Sequence, residues 1–281
     1  MYKTVVSRKT YQFKNLKVLM AKATPLRSGD ILAGVAAKTQ EERVAAQMAL
    51  SEVPLKRFLE EELIPYEKDE VTRLILDSHE SQAFQPIANL TVGEFREYLL
   101  SENTTTEILQ KIKNGITPEM AAAVSKIMRN QDLISVSKKC EVITKFRNTI
   151  GLRGRLSTRL QPNHPTDDLK GIAASLIDGL LLGSGDAVIG INPATDNVHN
   201  AIELLKMLDG VREKYKIPTQ SCVLTHVTNT IEAIEKKAPV DLVFQSTGGT
   251  EKTNSSFGVN LNLLAEAYDA GLSLKRGTVG N

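Results

Sequence analysis

Residues 186–208 read DAVIGINPATDNVHNAIELLKML, a short apolar, β-branched run that passes through Asn192-Pro193 into an amphipathic stripe of Val198, Ile202, Leu205 and Leu208. Apolar residues recurring every three or four positions specify a helix, and a run of four to eight bounded by turn residues specifies a strand. The same unit recurs around it. RLSTRLQ (155–161) precedes a stripe of Leu169, Ile172, Leu176 and Leu180. SCVLTH (221–226) precedes Val227, Ile231 and Ile234, and DLVFQS (241–246) precedes Val259, Leu263 and Ala267. Four consecutive strand–helix units predict a parallel sheet, either doubly wound or part of an eight-stranded barrel.

In each run the polar group comes last: Arg159 and Gln161 before Pro162, Asn192 before Pro193, then Thr225 and His226, then Gln245 and Ser246. The C-terminal ends of the strands are where parallel α/β folds bind ligands. Period-2 alternation points Arg159, Gln161 and Asn163 to one face. A plainer reading has Gln161 and Asn192 capping the turns that follow them.

Before about residue 150 the pattern is helical. Thr39 with Glu42 and Thr91 with Glu94 have capping-box spacing, which predicts two helix starts. Gly115 closes a helix holding Ile108 and Ile112, and Thr117-Pro118 opens another whose apolar stripe is Met120, Val124, Ile127 and Met128. The sequence therefore divides at about residue 150, into a helical region (1–150) and an alternating region (151–281). Helical packing and interaction surface are the reading for the first.

Composition excludes several classes. Of the 281 residues 41% are apolar, and no run approaches the ~18 apolar residues of a membrane span. A net charge of +2, from 35 basic and 33 acidic residues without a basic run, leaves no footprint for nucleic acid. The charged start MYKTVVSRKTYQFKN is unlike a secretory signal, so a cytosolic protein is expected. Cys140 and Cys222 are widely separated and read as reduced packing residues.

Short motifs add little. In GSGDAVIG (183–190) the glycines follow a helix and precede a strand, the wrong order for a phosphate cradle, and read as a C-cap and turn. STGGTEK (246–252) has the right order, and its backbone could approach a bulky ligand; a plain loop is the competing reading. DSHESQ (77–82) departs from two metal-associated patterns, at Gln82 and at Ala83, and His79 reads as an exposed helical residue. His164, His199 and His226 have no spaced partners, so no metal site is expected.

RLQPN, GDAVIGINP, THVTNTIEAI and VFQS, together with YQFKNLKVLMAKATPLRSGDILAGVAA near the start, resemble the large subunit of adenosylcobalamin-dependent ethanolamine ammonia-lyase. The resemblance extends over essentially the whole chain. It implies an α/β fold in which an N-terminal helical region (1–150) precedes the first four strand–helix units (151–281) of a (β/α)8 TIM-type barrel. It implies a carbon–nitrogen lyase that converts ethanolamine to acetaldehyde and ammonia by radical chemistry, with adenosylcobalamin as cofactor. Partners would be a small subunit and further copies of the large subunit, in the cytosol or a bacterial microcompartment. Carried over residue by residue, substrate contacts fall on Arg159, Gln161 and Asn192, and cofactor contacts on Pro193, Gln245, Ser246 and Phe257.

A guanidinium and two carboxamides can hold a hydroxyl and orient an amine, but a carboxylate is needed to neutralise an ammonium. None stands at a strand end, and the sequence stops at LKRGTVGN, where a fifth strand is expected. The expectation is a truncated chain, with Val188 and Val243 facing a barrel interior that half a barrel would open to water. Two rivals follow: an unrelated barrel enzyme using the same face, and a truncated subunit that binds partners without turnover.

Overall fold

The computed structural model describes residues 1–280. The chain forms two compact units, the first Met1–Glu141 and the second from Val142 onward.

The first unit begins with a β-hairpin where the sequence pattern points only to helices. Strands β1 (Tyr2–Val6) and β2 (Lys9–Phe13) pair antiparallel from Tyr2↔Phe13 to Val6↔Lys9. Ser7 and Arg8 both hold positive φ, 50° and 65°, the geometry of a two-residue turn whose twist matches the strands. That turn normally announces itself with Asn-Gly, and here it does not. Buried Tyr11 and Phe13 tie β2 to the core. Four helices supply much of this core: α1 (Leu16–Ala23), α2 (Gln40–Ser51), α3 (Val92–Leu100) and α4 (Pro118–Ile127). Leu16, Leu19, Leu50, Phe95 and Met120 are among its largest fully buried members. The caps fall where the sequence puts them. Thr91 and Glu94 form a reciprocal capping box on α3, Thr39 accepts from Glu42 N–H on α2, and Pro118 opens α4 beside its cap Thr117.

Two expectations fail in this unit. His79 lies just beyond the helix Glu70–Asp77, half-buried, with Nε2 3.1 Å from the Gly115 carbonyl oxygen and its ring edge-on to Phe84. Burial beside that carbonyl, not helix periodicity, fixes its place. Cys140 is exposed, three residues past the end of the helix Asn130–Ser137, and of the two cysteines Cys222 is the buried packing residue.

The second unit is built on a three-stranded parallel sheet: β3 (Arg159–Leu160), β4 (Val188–Ile191) and β5 (Ser221–Val223), adjacent in sequence order. The register is Arg159↔Val188 and Gly190↔Cys222. After them come α5 (Leu169–Leu181), α6 (Val198–Tyr215) and α7 (Val227–Glu235), then α8 (Glu251–Ser256) and α9 (Leu261–Leu272). Leu160, Ile189, Ile191 and Val223 share one core with Ile172, Leu176, Leu204, Leu208 and Ala233 of α5, α6 and α7. All three helices thus pack on one face. Arg159, Val188, Gly190 and Cys222 alternate onto the other. Gly183 and Gly185, at φ 80° and 98°, close α5 and turn into β4 as expected.

The fourth run departs from expectation, since residues 241–246 form no strand among the described residues. The Ser221 N–H on neighbouring β5 donates instead to the Asp241 carboxylate at 3.0 Å. That carboxylate also receives the guanidinium groups of Arg147 and Arg276, so a side-chain knot stands where a ladder would start. Val243 does not face a barrel interior: it packs with Val227, Val259 and Ala267 against α7 and α9.

Candidate functional site

The segments leaving β3, β4 and β5 are stitched side to side by carboxamides and carboxylates. Asn163 Oδ1 accepts the Asn192 N–H at 2.8 Å, joining the ends of β3 and β4. Asp167 reaches further, accepting Ala194 and Thr195 N–H at 2.8 Å each and Asn200 Nδ2 at 2.8 Å. Its φ of 54° is a left-handed conformation that Asp tolerates better than most residues. Asp196 ties β4 to β5, accepting the Thr225 hydroxyl, the His226 N–H at 3.2 Å and Asn229 Nδ2 at 2.7 Å. Burial pushes the Asp196 carboxyl up, and these three donors more than offset it, so it stays below the usual carboxylate range. His226 then caps α7, with Nδ1 2.8 Å from Thr228 Oγ1 and Nε2 3.1 Å from the Phe257 carbonyl oxygen.

Within this frame Arg159 is distinct. It makes no ion pair among the described residues, and its guanidinium lies over Gly190 on the face opposite α5, α6 and α7, beside Cys222. Burial pushes the Cys222 thiol up to about 11, while the neighbouring guanidinium pulls the other way. Gln161 and Asn192 are exposed at the ends of β3 and β4. The side chains that join these loops are Asn163 and Asp167, and Asn192 takes part through its backbone N–H.

Of the remaining sequence candidates, Pro193 follows β4 and the others come after β5. Gln245 is spent internally: Oε1 accepts the Val227 N–H at 2.9 Å and Nε2 donates to the Ser246 carbonyl at 3.0 Å. Ser246 is exposed, Pro193 is half-buried, and Phe257 leaves 43% of its surface uncovered. A cavity of about 550 Å³ opens at the opposite end of the sheet, lined by Asn148, Arg155, Asp186 and Thr219 among others. Those residues precede the strands, the end that parallel α/β folds use for stability.

Comparison with known proteins gives this geometry its context. The family model for the ethanolamine ammonia lyase large subunit (EutB) matches residues 11–281. The ethanolamine ammonia-lyase large subunits of Salmonella typhimurium and Escherichia coli K12 are each 48% identical over 274 residues, 98% of this chain. The chain belongs to the ethanolamine ammonia-lyase large-subunit family. It spans 60% of the length of those relatives.

Sequence patterns mark the polar ends of the runs but miss the residues that hold them. Asn163, Asp167 and Asp196 each sit in a Pro-flanked loop ahead of a helix, in PNHPTDD and NPATDN. Asx residues there announce turns and caps. Nothing local tells that their partners lie about 30 residues away.

Proposed function

We propose that this chain carries the first strands of a (β/α)8 barrel in an ethanolamine ammonia-lyase large subunit, a carbon–nitrogen lyase converting ethanolamine to acetaldehyde and ammonia. The observation behind this is a family member, 48% identical over 98% of its length, that holds the Arg159 guanidinium, without an ionic partner among the described residues, over Gly190 on the sheet face opposite α5, α6 and α7. Sequential strand order with α5, α6 and α7 on a single face supports a barrel over a doubly wound sheet, whose helices cover both faces. In this reading Arg159 donates to the substrate hydroxyl, and the carboxamides of Gln161 and Asn192 orient the amine. Asp167 and Asp196 are spent on loop N–H groups. We therefore assign the ammonium's counter-charge to a carboxylate on a further barrel strand, for which the longer relatives have room.

Adenosylcobalamin fits the rim in part. The exposed ring of Phe257, the Ser246 hydroxyl and Pro193 offer mixed apolar and polar surface, as a large cofactor edge requires. Gln245 fits less well, because both ends of its carboxamide are already bonded. When bound, the cofactor would supply the radical that takes hydrogen from the hydroxyl-bearing carbon. The chain's own part is to bind and orient substrate and to keep water out. We assign the small subunit and further large subunits as partners, in the cytosol or a bacterial microcompartment.

The test is a chimera of this chain with the remaining portion of the Salmonella relative, assayed with small subunit and adenosylcobalamin. Acetaldehyde release is expected. Arg159→Ala should remove about 2–4 kcal/mol of transition-state stabilisation, the range for a charged donor in a dry site. Unchanged turnover by that variant would take Arg159 out of the site.

A further inference from the structure

Gly190 occupies the middle strand of the sheet, where glycine packs nothing and weakens the element. Its φ is not positive, so the backbone does not demand it. The demand comes from across the face. A Cβ at this position would stand 2.6 Å from Nη2, 2.8 Å from Nε and 2.9 Å from Cζ of Arg159. Real Cβ atoms do not come so close, and all three atoms belong to one guanidinium plane. The guanidinium therefore occupies the space that a side chain at 190 would take.

The seat also moves the charge along the sheet. Arg159 pairs with Val188, yet its guanidinium lies over Gly190, two residues nearer the C-terminal end, about 6.6 Å in strand rise. Buried Cys222, the register partner of Gly190, closes the far side. The next position along β4 on this face belongs to Asn192.

We infer that Gly190 is a positioning residue: the side chain it lacks leaves the slot that holds the Arg159 guanidinium toward the ligand end of the sheet. The inference rests on the reading of Arg159 as a substrate contact, and it deepens that reading. The clashing atoms are the far end of a flexible side chain, not backbone, so a methyl group at 190 displaces the arginine and leaves the strand in place.

Two measurements test it. In residues 1–281, the Nε–H resonance of Arg159, identified by its loss in Arg159→Lys, should shift in Gly190→Ala. It should stay put in Gly210→Ala, where an added Cβ meets nothing within 4 Å. In the chimera, Gly190→Ala should lower kcat/KM for ethanolamine about a hundred-fold, the scale of a misplacement near 1 Å. In an Arg159→Ala background the same change should cost less than about twofold, whereas a purely structural defect would cost the same in both.

An unmoved resonance overturns the inference whatever the kinetics, and so does an equal loss in both backgrounds. A shifted resonance with unchanged turnover overturns instead the assignment of Arg159 to substrate. Should Gly190→Ala fail to fold, the pair Gly190→Ala/Arg159→Lys decides, since a slim ammonium clears the methyl group where a planar guanidinium does not. Folding of that pair supports the slot, and its failure to fold overturns it.

Discussion

Asp167 holds a left-handed φ without being glycine, and three donors from the β4–α6 segment converge on its carboxylate. The conformation has a cost, and the bonds it makes possible offset it. Two of those bonds fix Ala194 and Thr195, immediately after Pro193 and Asn192, so Asp167 sets the path of the loop that carries a predicted substrate contact. Asp167→Ala should lower stability by about 1–3 kcal/mol, the cost of stranding N–H groups that a carboxylate had satisfied. A shift in the urea midpoint would report it, and faster hydrogen exchange at Ala194 and Thr195 would localise it. At this scale the sequence is half legible. Arg159, Gln161 and Asn192 become candidates by standing at the ends of apolar runs, a one-dimensional signal. Asp167, Asp196 and Gly190 act through partners about 30 residues away, and their neighbours in sequence say only turn, turn and strand.

Elements with local causes were readable and elements with distant causes were not. The starts of α2, α3 and α4 follow from Thr39, Thr91 and Thr117-Pro118, because a cap is satisfied within four residues. The β1–β2 hairpin was missed because Ser7-Arg8 carries none of the usual turn residues and its strands are held by burial of Tyr11 and Phe13. Residues 241–246 fail as a strand for the opposite reason: the composition is right, and a buried charge intervenes. Burial pushes the Asp241 carboxyl up, but Arg147, Arg276 and the Ser221 N–H outweigh it and hold the group below the usual carboxylate range. A depressed folded-state pKa gives stability that is present above the unfolded value, near pH 4, and is lost as pH falls below it. The urea midpoint of the second unit should therefore fall between about pH 5 and pH 3. Asp241→Asn should flatten that dependence and cost roughly 3–5 kcal/mol at pH 7, since it leaves Arg147 buried without its counter-charge.

At the scale of the whole molecule, the hydrophobic cores decide what can fold alone. The first core runs from Tyr11 to Val124 and draws only on the first unit, whereas the cores around Leu176 and Val227 draw only on the second. A boundary near residue 150 was expected from the change in periodicity. The units part at Glu141 and Val142, because the small antiparallel pair Thr144–Lys145 and Thr149–Ile150 and the buried Arg147 belong with the sheet. Periodicity changes only past these residues, because they form neither a helix nor a strand long enough to register. Residues 140–145 straddle the division at Glu141 and are exposed, and exposed segments at unit boundaries are where proteases cut. Brief trypsin treatment should therefore cleave first at Lys138 or Lys145 and yield two resistant pieces. Each, expressed as residues 1–141 or 142–281, should keep a cooperative urea transition, because each retains every side chain of its own core. Mass spectrometry of the digest and separate melts of the two pieces would check this. A first cut inside α2 or α6, or a non-cooperative melt of either piece, would mean that the cores depend on one another and that the division at Glu141 is not a folding boundary.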